Sequence, residues 1–97
     1  MRYHILLAPE AVEDFNKLDA HVRAKVRDGI ELHLRYEPTR VSRSRIKRLR
    51  EMRRPQYRLR LDETRVFYDV SGDTVEVLAI VPKPSAAEWL ARWGESA

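Results

Sequence analysis

The sequence predicts an α+β fold: an N-terminal strand and a helical hairpin packed on a small antiparallel β-sheet of about four strands, with a C-terminal helix. Three observations carry this expectation. Apolar residues first recur every three or four positions, as on one face of a helix, and after Thr39 they alternate with polar ones, as along a strand. Turn-forming clusters stand at Leu61-Asp62-Glu63-Thr64 and at Ser71-Gly72-Asp73. The helical stretches precede a run of strands instead of interleaving with them, which indicates a helical layer on a sheet and not a doubly wound parallel fold.

Tyr3 to Leu7 reads as a short apolar strand. Pro9 opens a helix at its first turn, where a missing N–H costs nothing, and Glu10, Glu13 and Asp14 suit the positive end of that helix. Ala11, Phe15 and Leu18 mark its buried face. Asp19 is the expected N-cap of a second helix, whose stripe is Val22, Val26, Ile30 and Leu34, and Pro38 ends it. So short a link between the helices makes them a hairpin. Residues 40–45 read as a polar loop. Ile46 to Arg50 alternates apolar with basic, and Pro55 follows a turn. Tyr57, Leu59 and Leu61 then alternate with Arg58 and Arg60, so a strand puts the two sets on opposite faces. Arg65 to Val70 is the returning strand. Thr74 to Val81 is almost continuously apolar, as in a central strand covered on both faces. Pro82 and Pro84 stop it, and Ser85 is the expected cap of a last helix running through Trp93. No internal repeat or low-complexity segment is visible.

The 97 residues leave room for one domain, expected to span 1–97. With 43% hydrophobic and 35% charged residues the composition is globular, and the absence of cysteine excludes disulfides, thiolate nucleophiles and sulfur-ligated zinc. No apolar run approaches the roughly 20 residues that cross a bilayer. Met1 to Leu7 lacks a cleavage region, so a cytoplasmic protein without membrane contact is expected.

Charge is unevenly placed. Arg40 to Arg65 holds eleven basic residues and three acids, a net +8. The whole chain carries +4, so the remainder carries −4. A mildly acidic body with a concentrated basic segment suggests a polyanion partner, the plainer alternative being a solvated charged surface. Arg58, Arg60 and Arg65 are the first candidates. Brought together from paired strands, their guanidinium groups would fork onto phosphate oxygens while staying charged. The plainer reading is an edge that is solvated or meets an acidic partner. His4, His21 and His33 lie in the first strand and the hairpin, away from the basic strands, and read as surface or packing residues. Asp62, Glu63 and Asp69 amid so many bases suggest pairing with arginine, and no metal site or cofactor is expected. Trp89 and Trp93, four apart, either dock the last helix on the sheet or help to form a partner groove.

The stretches Lys47-Arg48-Leu49-Arg50, Tyr57-Arg58-Leu59-Arg60-Leu61, Arg65-Val66-Phe67-Tyr68-Asp69-Val70 and Val77-Leu78-Ala79-Ile80-Val81, in this order of elements, resemble the RelE/ParE toxin superfamily. The resemblance covers nearly the whole chain. It implies the toxin of a type II toxin–antitoxin pair, held inactive by a small antitoxin with an acidic or amphipathic segment. RelE-like members cut mRNA on the ribosome, whereas ParE-like members act on DNA gyrase without nuclease residues. Carried over residue by residue, the RelE pattern implies catalytic roles for Arg58, Arg60 and Arg65. It implies a further basic residue just after the valine-rich strand, which falls on Lys83. Lysine among other cations is a better base than arginine. Lys47, Arg48, Arg50, Arg53 and Arg54 would then grip RNA. The chain departs from the pattern at its end. No Tyr or His stands in the terminal segment, Pro82-Lys83-Pro84-Ser85 replaces a more basic sequence, and Trp89 and Trp93 cannot transfer protons. Three activities follow as expectations: a ribosome-dependent mRNA endonuclease, a non-cleaving toxin of the same fold, or an RNA-binding module without toxicity.

Overall fold

The structure is a computed structural model describing residues 1–97. Strand β1 (His4–Leu7) leads into helices α1 (Pro9–Lys17) and α2 (Ala20–Leu34). Strands β2 (Ile46–Arg48), β3 (Met52–Arg54), β4 (Tyr57–Leu61), β5 (Thr64–Ser71) and β6 (Thr74–Pro82) follow, then a 3₁₀ turn (Lys83–Ser85), α3 (Ala86–Trp93) and a short β7 (Glu95–Ser96).

Local chemistry accounts for most boundaries. Pro9 occupies the first turn of α1, and the Asp19 carboxylate accepts the Val22 N–H at 3.0 Å, capping α2. Asp62 turns the β4–β5 hairpin with φ 53° and Gly72 the β5–β6 hairpin with φ 58°, left-handed values that short polar residues and glycine tolerate. Ser85 stands at the α3 N-cap but makes no capping bond with its side chain. The 3₁₀ turn takes that place, with the Ala86 N–H donating to the Lys83 carbonyl.

The sheet has the order β1-β6-β5-β4-β2 and is mixed. The sequence suggested antiparallel pairing throughout, but β1 lies parallel to β6, with His4 opposite Thr74 and Leu7 opposite Val77. All the chain between them serves as the crossover that a parallel pair requires. The strand expected over Ile46 to Arg50 stops at Arg48, because the Met52 N–H turns back to the Leu49 carbonyl. Met52 to Arg54 then pairs with Glu95–Ser96 as a separate two-stranded ribbon, so the end of the chain is tied beside the basic segment.

Alternation along the strands divides the side chains between two faces. The α1–α2 hairpin covers the first face, where Val26, Ile30 and Leu34 of α2 meet Leu59, Val66, Tyr68, Val75 and Val77. Gly29 lets α2 approach closely, since a Cβ there would lie 2.5 Å from Leu61 Cδ2. Tyr68 is fully buried, stacks on Tyr57 at 5.4 Å and donates its hydroxyl to the Pro38 carbonyl at 2.6 Å. That bond satisfies the one polar atom of the ring, and burial pushes the phenol well above its ordinary pKa. On the second face α3 lies over Phe67, Ala79 and Val81, with Trp89 stacked on Phe67 at 5.0 Å and 6°. A register shift in β6 at Leu78 keeps Val77 and Ile80 on the first face and Ala79 and Val81 on the second. Beyond the end of β1, the outward N–H of Ile80 is satisfied by Asp14 of α1 at 3.0 Å.

Candidate functional site: a cationic strip beside the last helix

The second face is open where α3 stops. Lys47 of β2 pairs with Arg58 of β4, Arg58 with Phe67 of β5, and Arg60 with Arg65. Residues directly opposite on paired strands project to the same side. Lys47, Arg58, Arg60 and Arg65 therefore form one strip next to the Phe67–Trp89 stack. These four residues make up the candidate site.

Their environments differ. Arg58 is half-buried, and its Nε lies within the protein without a hydrogen-bond partner. Burial lowers its pKa, and the neighbouring charges of Arg65 and Arg60 lower it further. No carboxylate pairs with it in any ion pair of the structure. Arg60 is exposed, and only its backbone is engaged, donating to the Arg45 carbonyl. Arg65 is 7% exposed. Its guanidinium folds back on the hairpin, where Nη1 donates to the Asp62 carbonyl at 2.7 Å and the Thr64 carbonyl at 3.1 Å. It ties the turn while its charge remains unneutralised. Lys83 opens the 3₁₀ turn directly after β6. Its N–H donates to the Glu63 carbonyl at 2.7 Å, so its exposed side chain starts from the same end of the strip as Arg65.

The five residues expected to grip RNA separate into two groups. Lys47 and Arg50 are exposed and carry no ion pair. Arg48, Arg53 and Arg54 are occupied within the protein. Arg48 lies over the Tyr57 ring at 5.3 Å and donates to the Gln56 carbonyl at 2.8 Å. Arg53 pairs with Glu95 across the small ribbon, and Arg54 with Asp69 at 3.4 Å and Glu76 at 3.2 Å. These three hold the ribbon and the β4 entry in place. A sequence shows charge but not engagement.

Beside the strip a cavity of about 780 Å³ is lined by Lys47, Leu49, Arg50, Met52 and Leu90 among others. The arrangement suits an extended anion: fixed guanidinium donors for phosphate and an apolar wall along one flank. None of His4, His21 or His33 belongs to it. His4 faces Asp73, and burial together with Arg45 lowers the pKa of His33. No three His, Asp or Glu side chains cluster closely enough to hold a metal ion.

The sequence reading missed the latch at the entry to β4. The Gln56 N–H donates to Asp69 at 2.7 Å and the Val70 N–H to the Gln56 side-chain carbonyl at 2.8 Å, cross-linking β4 to β5. Burial raises the pKa of Asp69 against the opposing pull of the Gln56 N–H and Arg54. Only the strand pairing brings these residues together.

No protein-family model and no curated protein matches the chain. Solved structures do. A chain of the RelBE2 toxin–antitoxin complex from Mycobacterium tuberculosis is similar at a TM-score of 0.71 and 25% identity, covering 84% of this chain and 99% of that one. A chain of the RelB–RelE antitoxin–toxin complex from Methanococcus jannaschii gives 0.64 and 21%, with 87% and 96% covered. A chain of the archaeal RelE–RelB complex from Pyrococcus horikoshii OT3 gives 0.55 and 21%, with 86% and 97% covered. The element order, the sheet topology and these neighbours make the chain, by fold, a member of the RelE-like toxin superfamily.

Proposed function

We propose that the chain, as one domain over residues 1–97, is the toxin of a toxin–antitoxin pair and that it cleaves ribosome-bound mRNA. The likeness to chains of toxin–antitoxin complexes supports the toxin reading and a cognate antitoxin as partner. One observation supports RNA as the target: Arg58, Arg60 and Arg65 lie side by side on one face with no carboxylate to neutralise them. Three such charges repel one another and are held for an anion.

In the proposed reaction, Arg58 and Arg60 hold the phosphate oxygens and stabilise the extra negative charge as the neighbouring 2′-oxygen bonds to phosphorus. Lys83 takes the 2′-hydroxyl proton. The bond to the 5′-oxygen of the next nucleotide breaks, and that oxygen takes a proton from water. The products are a 2′,3′-cyclic phosphate and a 5′-hydroxyl. Arg65 positions the hairpin and adds charge from below.

One feature favours a second reading. The strip has no Tyr or His to protonate the leaving oxygen, as a non-cleaving toxin of the ParE kind would lack it. Inducing the chain in cells, with 5′ ends of mRNA and plasmid supercoiling followed together, distinguishes them. In-frame, translation-dependent cuts that vanish in Arg58→Ala are expected. Altered supercoiling with intact message would support the second reading, and harmless expression would contradict both.

A further inference from the structure

Both tryptophans of the chain line a single groove on the other flank of α3. It runs between α1 and α3, beyond the end of β1, and encloses about 430 Å³. Leu78, the residue at the β6 register shift, lies in it. One wall is indole, Trp89 and Trp93, a turn apart on α3. The other is carboxylate: Glu10, Glu13 and Asp14, whose spacing puts them on one side of α1. Leu90, on the opposite flank of the same helix, faces the basic cavity described above.

The groove is pre-formed. Asp14 is held by the Ile80 N–H at 3.0 Å and Trp89 by its stack on Phe67. Neither Glu10, Glu13 nor Asp14 has an ion-pair partner, although the chain as a whole is basic. Arg54 reaches the rim but is already held by Asp69 and Glu76. Trp93 is 64% exposed, a large indole left on the surface. It also accepts a guanidinium, since Arg92 lies over its ring at 5.5 Å from outside the groove lining.

We propose that this groove docks an arginine side chain presented by a basic segment of a partner protein. A guanidinium is planar, forks onto carboxylates and is weakly enough hydrated to lie against an indole. Carboxylates opposite indoles across a space the size of one side chain and its flanking backbone match each of those properties. The ligand is cationic, so RNA is excluded by charge. The groove is separate from the cationic strip, and this proposal stands whether or not the chain cleaves RNA.

The test uses the full chain and its own fluorescence, because every indole in the protein lies at the groove. A short leucine-flanked peptide with one central arginine is titrated in, beside the same peptide carrying citrulline, and spermidine. The arginine peptide is expected to give a saturable change in emission, weakened at least tenfold by citrulline. Glu10→Gln combined with Glu13→Gln, both exposed, should weaken it at least tenfold while the circular dichroism spectrum stays unchanged. Trp93→Ala, followed by calorimetry, should weaken it too. Equal response to citrulline, an unaffected double glutamine variant, or no saturable change overturns the proposal. So does tighter saturation by spermidine, which would make this a polyamine site. Concentration-dependent association abolished by the glutamine pair would likewise overturn it, by making the occupant a second copy.

Discussion

On the face covered by the helical hairpin, eleven buried side chains form one continuous cluster, whereas the face beneath α3 has only Phe67, Ala79 and Val81 at its centre. Beside them that second face carries the strip of Lys47, Arg58, Arg60 and Arg65. The same strands serve both. Within β4, Leu59 is fully buried on one side while Arg58 and Arg60 stand on the other. Apolar burial and unpaired charge are thus divided across one sheet: the first face supplies the burial that the second face gives up.

Substitutions should separate the faces. Leu59→Ala is expected to cost about 2–5 kcal/mol in urea denaturation, since it empties a fully buried site. Trp89→Ala, which loses a stack on a half-covered face, should cost about 2 kcal/mol. If the two costs are reversed, the division of labour is wrong.

A smaller effect of opposite sign is expected at Arg58. Its Nε is buried without a partner and its charge is crowded by Arg60 and Arg65, so Arg58→Leu should raise stability by about 1 kcal/mol. The same change should weaken RNA binding. A gain in stability that comes with loss of function marks a residue kept for its ligand. A destabilised Arg58→Leu would instead make the arginine part of the scaffold.

The smallest effect concerns pH. Burial raises the Asp69 pKa in the folded state above its unfolded value, so the folded protein holds that proton more firmly. The cost of keeping the carboxylate charged is fully present above the folded pKa. It is relieved as pH falls through that value towards the unfolded one. Relative to Asp69→Asn, the wild type should therefore gain stability on acidification from pH 7 to pH 4, measured by urea midpoints at both values. A relative loss would mean that the bonds to Gln56 and Arg54 outweigh burial.

The parts of this arrangement that were legible in the sequence are those written in local periodicity. The Val22-to-Leu34 stripe, the Asp19 cap, and the opposite facing of Leu59 against Arg58 and Arg60 each follow from residues a few positions apart. Pairings over long separations were not legible. His4 opposite Thr74, Met52 opposite Ser96, and Glu10 across the groove from Trp93 carry no local mark. The arginines illustrate the limit most clearly. Arg50 and Arg54 look alike in the sequence, yet Arg50 carries no ion pair and Arg54 is bound by two carboxylates. Which cations remain free depends on where distant acids fall.

The proposed RNA face rests on that distinction between free and engaged cations, and salt-dependent RNA binding probes it without intermediaries. Affinity for a single-stranded RNA oligomer, measured across a salt series, should fall with a log–log slope set by the number of phosphates that the protein neutralises. Removing Lys47 and Arg60 together should flatten that slope by about 0.7 for each phosphate no longer neutralised. Removing Arg53 and Arg54 together should leave it unchanged, because those charges are held by Glu95, Asp69 and Glu76. A slope that flattens in the Arg53/Arg54 variant and not in the Lys47/Arg60 variant would show that the free cations do not carry the binding.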